Sequence, residues 1–191
     1  LAYELGWRIQ PRQKLSVSIA SFFNVYDNIR SAEPGPPPFT PFPLTIANGV
    51  KGKTYGIEFS AMTQLTSWWN LRGGYTFLKK DMSVKSNSRD LNGGTAESDD
   101  PENQFLIQSS MDLPYRVELG TVIRYISKLP NKNVSGYFGL DMRMGWKLNK
   151  FIELNIVGQN LLDNRHPEFI PSSPSPREIE RSIYGKIICQ L

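Results

Sequence analysis

The side chains that could bind a ligand in this chain are basic and aromatic, and they follow segments of alternating apolar and polar residues. Tyr26 and Arg30 follow one such segment, Lys80 follows another, and Arg124 lies near the end of a third. Guanidinium and ammonium groups form charge-assisted hydrogen bonds with anionic oxygens, and a phenol ring adds an apolar contact. These four residues are candidate contacts for an anionic ligand. The alternative is that each is a solvated loop residue.

A second group of candidate residues is acidic. It comprises Glu97, Asp99, Asp100 and Glu102, at the end of a polar stretch rich in Gly, Asn and Ser. Carboxylates grouped in this way could coordinate Ca²⁺, but the spacing of an EF-hand loop is absent. We therefore expect a solvated, flexible loop.

Enzymatic chemistry is not expected from this sequence. One Cys and one His exclude a disulfide framework and leave little for metal or triad chemistry. His166 lies in a turn-rich segment, where we expect a structural hydrogen bond, and Cys189 is expected to be a buried, inert thiol. No phosphate loop, nucleophile elbow or His-Glu-x-x-His motif is present. We predict no catalytic residue, no metal site and no cofactor.

Composition bounds the class of protein. The chain has 191 residues with a net charge of +4, and its basic residues are scattered, which argues against a nucleic-acid partner. It contains no run of about 18 apolar residues, so no transmembrane helix is predicted. A transmembrane β-barrel keeps a hydrophilic average composition, because its apolar residues alternate with polar ones.

Alternation with a period of two residues runs through the chain and predicts an all-β fold of about nine antiparallel strands in a meander. Leu119 and Ile123, for example, alternate with Glu118 and Arg124. The first pair is expected to face lipid and the second pair the lumen of a barrel. The same parity assigns Lys79 to the outer face and the following residues to the lumen: Tyr26 and Lys80.

The predicted connections alternate between short and long. Short ones lie near residues 10–14, 66–68, 113–114 and 149–150, and long ones span about 29–51, 80–102, 128–136 and 162–181. Outer-membrane barrels are organised in this way, with short periplasmic turns and long extracellular loops. A soluble β-sandwich also alternates, but its turns have no reason to sort by length. The first long loop is rich in proline between residues 33 and 43, and we expect it to be stiff and unpaired.

Aromatic residues cluster near both ends of the predicted strands, as membrane interfaces favour. At the short-turn end they are Trp7, Trp68, Trp69, Tyr115, Trp146 and Phe151; at the long-loop end they are Phe23, Phe77, Tyr125 and Phe138.

Three segments resemble TonB-dependent outer-membrane receptors. The strand that begins at Ile156 ends in Asn160-Leu161-Leu162-Asp163, which is similar to the motif that closes the family's penultimate strand. The segment 181–187, with Tyr184 and Gly185, resembles the entry to the family's terminal strand, and residues 48–58 resemble its recurrent Gly-x-Glu strand start. Leu191 stands where the family usually ends in Phe.

The resemblance implies that residues 1–191 are the C-terminal part of a 22-stranded transmembrane β-barrel with a plugged lumen. The plug domain and the TonB box would lie N-terminal to this chain, and the C-terminus would be periplasmic, in the bacterial outer membrane. The implied partners are outer-membrane lipid and lipopolysaccharide, a ferric siderophore or similar chelate, the TonB complex through the N-terminal part, and the barrel-assembly machinery through the C-terminal strand.

The function expected from this resemblance is TonB-dependent uptake of a scarce ligand, in the first place a ferric siderophore. Three alternatives remain open. The same architecture could import cobalamin, haem or a saccharide. The chain could also belong to a passive porin, or it could be a soluble β-sandwich that binds a ligand.

Overall fold

The computed structural model describes residues 1–35, 42–130, 134–169 and 178–190. Eleven strands, numbered in chain order, account for most of them. They are β1 (Ala2–Arg12), β2 (Leu15–Pro34), β3 (Leu44–Thr66), β4 (Trp69–Val84), β5 (Asn103–Leu113), β6 (Val117–Ile126), β7 (Tyr137–Lys147), β8 (Ile152–Gln159), β9 (Arg165–Pro167), β10 (Glu178–Glu180) and β11 (Ser182–Cys189). Two single 3₁₀ turns, Thr95–Glu97 and Pro114–Arg116, lie between strands.

Nine of these strands form one antiparallel meander, in the order β1 to β8 followed by β11. The nine-stranded, all-β prediction is therefore confirmed. The small hairpin of β9 and β10, which the sequence did not predict, is inserted between β8 and β11. No helix in the described part of the chain has the length and apolar character needed to cross a membrane.

The first predicted long loop is in large part strand, and the second begins later than predicted. β2 continues to Pro34 and pairs with β3, which starts at Leu44, so most of the expected 29–51 loop is a hairpin extension. β4 likewise continues to Val84, beyond the predicted loop start at residue 80. A strand needs only about 9–11 residues to span a bilayer, so the 20 and 23 residues of β2 and β3 project well beyond one. The proline-rich residues 36–41 lie outside the described residues.

The register of the sheet places the apolar residues on one face and the polar residues on the other, as the alternation predicts. Ile107, Ile123 and Leu140 pair in one row across three strands, and therefore share a face. On the other face, Ser18 and Ser60 share a hydrogen bond of 2.8 Å between their hydroxyl oxygens. We call these the outer face and the polar face.

Charged side chains on the polar face near the short turns are linked in a network around Arg143. Its guanidinium donates to Asn155 Oδ1 at 2.6 Å and to Glu118 Oε2 at 3.2 Å, and it also contacts the carboxylate of Glu153. Lys147 forms a further ion pair with Glu118. The network lines the polar wall with satisfied charges, and this wall needs water or another polar surface against it.

The outer face is apolar and uncovered. Within the described ranges the main sheet is a single layer, and the buried apolar side chains are Val50, Leu129 and Val134. Large outward residues stay exposed, including Ile156 at 61% and Ile187 at 67%. A β-sandwich would bury this face against a second sheet. Cys189 is also exposed, so the expectation of a buried thiol was wrong.

Aromatic rings contact one another near both ends of the outer face. Phe23 lies between Tyr3 and Tyr55, with ring centroids 6.4 and 6.5 Å apart, and Tyr125 packs on Phe138 at 4.7 Å. At the short-turn end Trp68 and Trp69 stack at 6.0 Å. The aliphatic outer band therefore runs between two aromatic rows.

Candidate ligand site at the long-loop end

The connection between β4 and β5, residues 85–102, packs on the extended β2–β3 hairpin; we call it the β4–β5 loop. At its start the Lys85 amide donates to the Gly49 carbonyl at 2.8 Å. Further on, the Ala32 amide donates to Asp90 Oδ1 at 2.8 Å, and the Leu91 amide donates to the Ala32 carbonyl at 3.1 Å. The loop thus reaches the edge that β2 presents beyond the end of β1.

Glu33 fastens the loop to this hairpin. Its carboxylate accepts hydrogen bonds from the hydroxyls of Ser88 at 2.5 Å and Ser31 at 2.7 Å, and from the Arg89 amide at 2.5 Å. The donors from Ser88 and Ser31 lower the pKa of Glu33, which lies beyond the aromatic row and outside the spanning part of β2. Gly49 is required beside it, because a Cβ there would lie 2.2 Å from Ser88 Oγ.

Two of the predicted ligand residues meet at this loop. Arg30 Nη2 donates to Glu97 Oε1 at 2.8 Å. Lys80 forms an ion pair with Asp100, and its ammonium also lies 3.5 Å from the Glu97 carbonyl oxygen. We call Arg30, Lys80, Glu97 and Asp100 the mouth cluster. The contacts that both cations make with Glu97 bring β2 and β4 together through the loop.

Tyr26 lies on the polar face close to this cluster. It pairs in register with Gly52 of β3, whereas Lys80 of β4 pairs with Thr54. The two side chains are therefore separated by two strand spacings, about 10 Å, and by two residues along the strand, about 7 Å. The Tyr26 side chain is 43% exposed and open to a ligand at this end.

Arg124 does not join the mouth cluster. Its row across the sheet contains Leu106 and Gly74, six residues before Lys80, which is about 20 Å along the strand. Arg124 instead pairs with Asp141 and donates to Asn160 Oδ1 at 3.3 Å. Gly139 opposite provides the space, because a Cβ there would lie 2.7 Å from Arg124 Nε.

The Asn160–Asp163 motif closes β8. Asn160 is 1% exposed and has φ of 56°, a left-handed conformation that Asn tolerates better than most residues. Its backbone N–H donates to Asp141 Oδ1 at 2.9 Å, and its side-chain Nδ2 donates to the Ile179 carbonyl at 3.4 Å. The motif therefore ties β7 and β8 to the β9–β10 hairpin.

The remaining motif residues support this closure. The Leu161 amide donates to the Leu140 carbonyl at 2.9 Å, and the Asp163 amide donates to the Asn160 carbonyl at 3.3 Å. The Leu162 side chain is exposed. In β11, Tyr184 pairs with Val157, and Gly185 pairs with Ile156. Leu191 lies outside the described residues.

Two sequence expectations for polar side chains were wrong. His166 is buried, but its ring nitrogens form no hydrogen bond; the ring stacks on Tyr137 at 3.8 Å, with Asp163 Oδ2 3.4 Å from Nδ1. The acidic group of the β4–β5 loop is neither free in solvent nor a metal centre. Three of its carboxylates pair with cations, and no group of three potential metal ligands converges anywhere in the described ranges.

Lys79 lies on the outer face, as its parity predicts, because it pairs in register with Tyr55 of the upper aromatic row. Its ammonium forms an ion pair with Glu102. The Lys79–Glu102 pair therefore lies on the opposite side of β4 from Lys80.

The family model for the β-barrel of TonB-dependent receptor-like proteins matches residues 1–161. The chain belongs to this family. Among curated TonB-dependent relatives, it is 24% identical over 134 residues to the catecholate siderophore receptor Fiu of Escherichia coli K12, covering 64% of this chain and 17% of that protein. It is 23% identical over 137 residues to the probable TonB-dependent siderophore receptor PiuA of Acinetobacter baumannii, covering 65% of this chain and 18% of PiuA.

Solved structures of TonB-dependent transporters share the fold. The closed form of the ferric-catecholate import receptor Fiu from E. coli K12 superposes with a TM-score of 0.71 at 21% identity, over 98% of this chain and 27% of that one. The FrpB iron transporter of Neisseria meningitidis gives a TM-score of 0.76 at 14% identity, over 97% of this chain and 30% of that one. This chain spans less than a third of each of these proteins, so its nine-stranded sheet corresponds to part of a larger barrel.

Proposed function

We propose that this chain forms part of the wall of an outer-membrane receptor that takes up an anionic ferric chelate, in the first place a siderophore, in a TonB-dependent manner. The observation that carries the proposal is that Arg30 and Lys80 both contact Glu97 at the long-loop end, with Tyr26 nearby on the polar face. The family membership and the siderophore receptors among the relatives support it.

The chemistry of these residues suits such a ligand. Ferric chelates with catecholate or carboxylate donors carry anionic oxygens on their surface, which accept charge-assisted hydrogen bonds from Arg30 and Lys80. The Tyr26 ring supplies a flat apolar contact for an aromatic chelating arm. Arg124 lies deeper along the polar face, and in this proposal it meets the ligand only after passage through the mouth.

The orientation of the chain follows from the same proposal. The long-loop end faces the outside of the cell and the short turns face the periplasm, where the C-terminus also lies. The outer face contacts membrane lipid, and Lys79, level with Tyr55 of the upper aromatic row, contacts lipopolysaccharide phosphate. The TonB complex acts through a part of the receptor N-terminal to this chain, and the barrel-assembly machinery acts on the C-terminal strand.

The test of the binding site uses the complete receptor with Arg30→Gln and Lys80→Gln combined. The probe is the trianionic ferric tris-catecholate complex, whose binding to intact cells is measured by titration. We expect the Kd to rise by about tenfold or more, because two charge-assisted contacts are lost. The matched control is Lys79→Gln, which removes one cation from the opposite side of β4. An unchanged Kd in the double variant, with normal surface expression, would contradict the assigned site.

A further inference from the structure

We infer that the β4–β5 loop keeps the proposed ligand site closed with its own carboxylates, which occupy the positions that the anionic groups of the ligand would take. The inference rests on the proposed function, because it concerns the same two cations. It adds a regulatory element to that site: ligand must displace the loop before it can bind.

The first step is the identity of the atoms in contact. The Arg30 guanidinium is satisfied by a carboxylate oxygen of Glu97 at 2.8 Å. The Lys80 ammonium contacts a carboxylate oxygen of Asp100 and the carbonyl oxygen of Glu97. These are anionic or strongly polar oxygens, the same chemical class as the donor oxygens of a ferric chelate. The loop therefore presents an internal mimic of the ligand to both cations.

The second step is the space around the cations. One cavity of about 180 Å³ is lined by Arg30, Asp90 and Glu97, and a separate one of about 320 Å³ is lined by Lys80, Asp100 and Glu102. Neither cavity reaches both cations. A ligand that contacts Arg30 and Lys80 together from these two cavities therefore displaces Glu97, which contacts both cations.

The third step is how the loop is held. Asp90 accepts a hydrogen bond from the Gly94 amide at 2.9 Å, which fixes the loop just before the 3₁₀ turn Thr95–Glu97. At the far end, the Glu102 carbonyl accepts from the Leu78 amide at 2.9 Å. Residues 95–100 lie between these anchors. They follow Gly93 and Gly94, which have positive φ angles of 57° and 77°. In this inference, ligand binding moves the segment away from the cations while both anchors stay in place.

The ion pairs are weak enough for a ligand to replace. The side chains of Arg30 and Asp100 are 69% and 48% exposed, so water screens both pairs. Exposed pairs of this kind each change an equilibrium by a factor of about 1.4 to 5.4. Together they weaken apparent ligand binding by about twofold to thirtyfold relative to a site without the mimic.

The experiment compares the complete receptor with its Glu97→Gln, Asp100→Asn double variant, using the ferric tris-catecholate complex as the probe. We expect the Kd to fall by about twofold to thirtyfold. Asp27→Asn is the matched control, because it removes one negative charge at the long-loop end from an exposed ion pair with Lys85, outside both cavities; its Kd should stay within twofold of the parent receptor. An unchanged or higher Kd in the double variant overturns the inference.

A second measurement does not depend on the double variant folding. A spin label at the exposed position Thr95→Cys, with Cys189→Ser to remove the native thiol, reports the mobility of the loop in a receptor that keeps Glu97 and Asp100. Saturating probe should raise this mobility, and no change on saturation overturns the inference.

The proposed binding site and the loop inference can be refuted separately. If Arg30→Gln with Lys80→Gln leaves the Kd unchanged, the binding site itself is refuted. If that variant weakens binding while the loop variant fails to strengthen it, only the loop inference is refuted.

Discussion

Ile123 and Val122 are neighbours on β6 whose side chains face opposite sides of the sheet, and an arginine at each position tests which side meets lipid. Ile123 shares its outer row with Ile107 and Leu140. Val122 pairs with Gln108 and Asp141 on the polar face. The two residues are both β-branched and aliphatic, and they differ by one methylene, so they form a matched pair.

The expected cost follows from the depth of Ile123 in the apolar band. Near β6 the band runs from Val117, which pairs with Trp146, to Tyr125, which packs on Phe138. Eight residues at about 3.4 Å each, tilted by about 45°, give a band about 19 Å high along the membrane normal. Ile123 then lies about 5 Å from the middle of the band. Arginine costs about 2–4 kcal/mol at the midplane and about 0–1 kcal/mol near the interface, so we expect about 1–3 kcal/mol for Ile123→Arg.

Val122→Arg should cost about 1 kcal/mol or less, because the new guanidinium meets Asp141 and Gln108 instead of lipid chains. The assay is the guanidinium-induced unfolding of the complete receptor in lipid vesicles, followed by tryptophan fluorescence. Equal destabilisation by the two arginines, or a larger effect at Val122, would refute the assignment of the outer face to lipid.

Two further predictions concern the long-loop end. Hydrogen bonds lower the pKa of Glu33, so the contribution of this carboxylate to loop docking is complete above its ordinary pKa near 4.5 and is lost as the pH falls through the lowered value. A spin label at Leu91→Cys, with Cys189→Ser, should stay immobile from pH 8 down to 4.5 and loosen only as the pH falls through the lowered pKa. Glu33→Gln should give a mobile label at every pH. Asn160→Ala should destabilise the receptor by about 2–4 kcal/mol in denaturant titrations, because it loses two side-chain hydrogen bonds and leaves a strained left-handed residue. Asn160→Gly should cost about 1–2 kcal/mol less than Ala, and equal costs for both would argue against backbone strain.

The sequence predicted the strands and their faces because both depend on a local period of two residues. Leu119 and Glu118, for example, are adjacent in the chain, and the pleat alone places them on opposite faces. The extensions of β2 and β3 were missed because they lack this alternation. Residues 27–34 include Asp27, Asn28 and Pro34, and their pairing with β3 involves backbone groups rather than an apolar face.

The ligand-site candidates could be proposed from residue type, but their partners could not. Arg30 and Glu97 are 67 residues apart, and only the path of the loop across the hairpin brings them together. The same limit applies to Arg124, which the sequence grouped with Lys80. The stagger of the strands separates them, and the motif residue Asn160 becomes the neighbour of Arg124 instead.

The central claim, TonB-dependent uptake of an anionic ferric chelate, is tested most directly by uptake of radioactive iron from the ferric tris-catecholate complex. Cells that lack other receptors for the complex would express the complete receptor, with or without a functional TonB complex. We predict surface binding in both strains and accumulation of iron only in the strain with TonB. Equal, non-saturable accumulation in both strains would identify a passive pore and contradict the proposal.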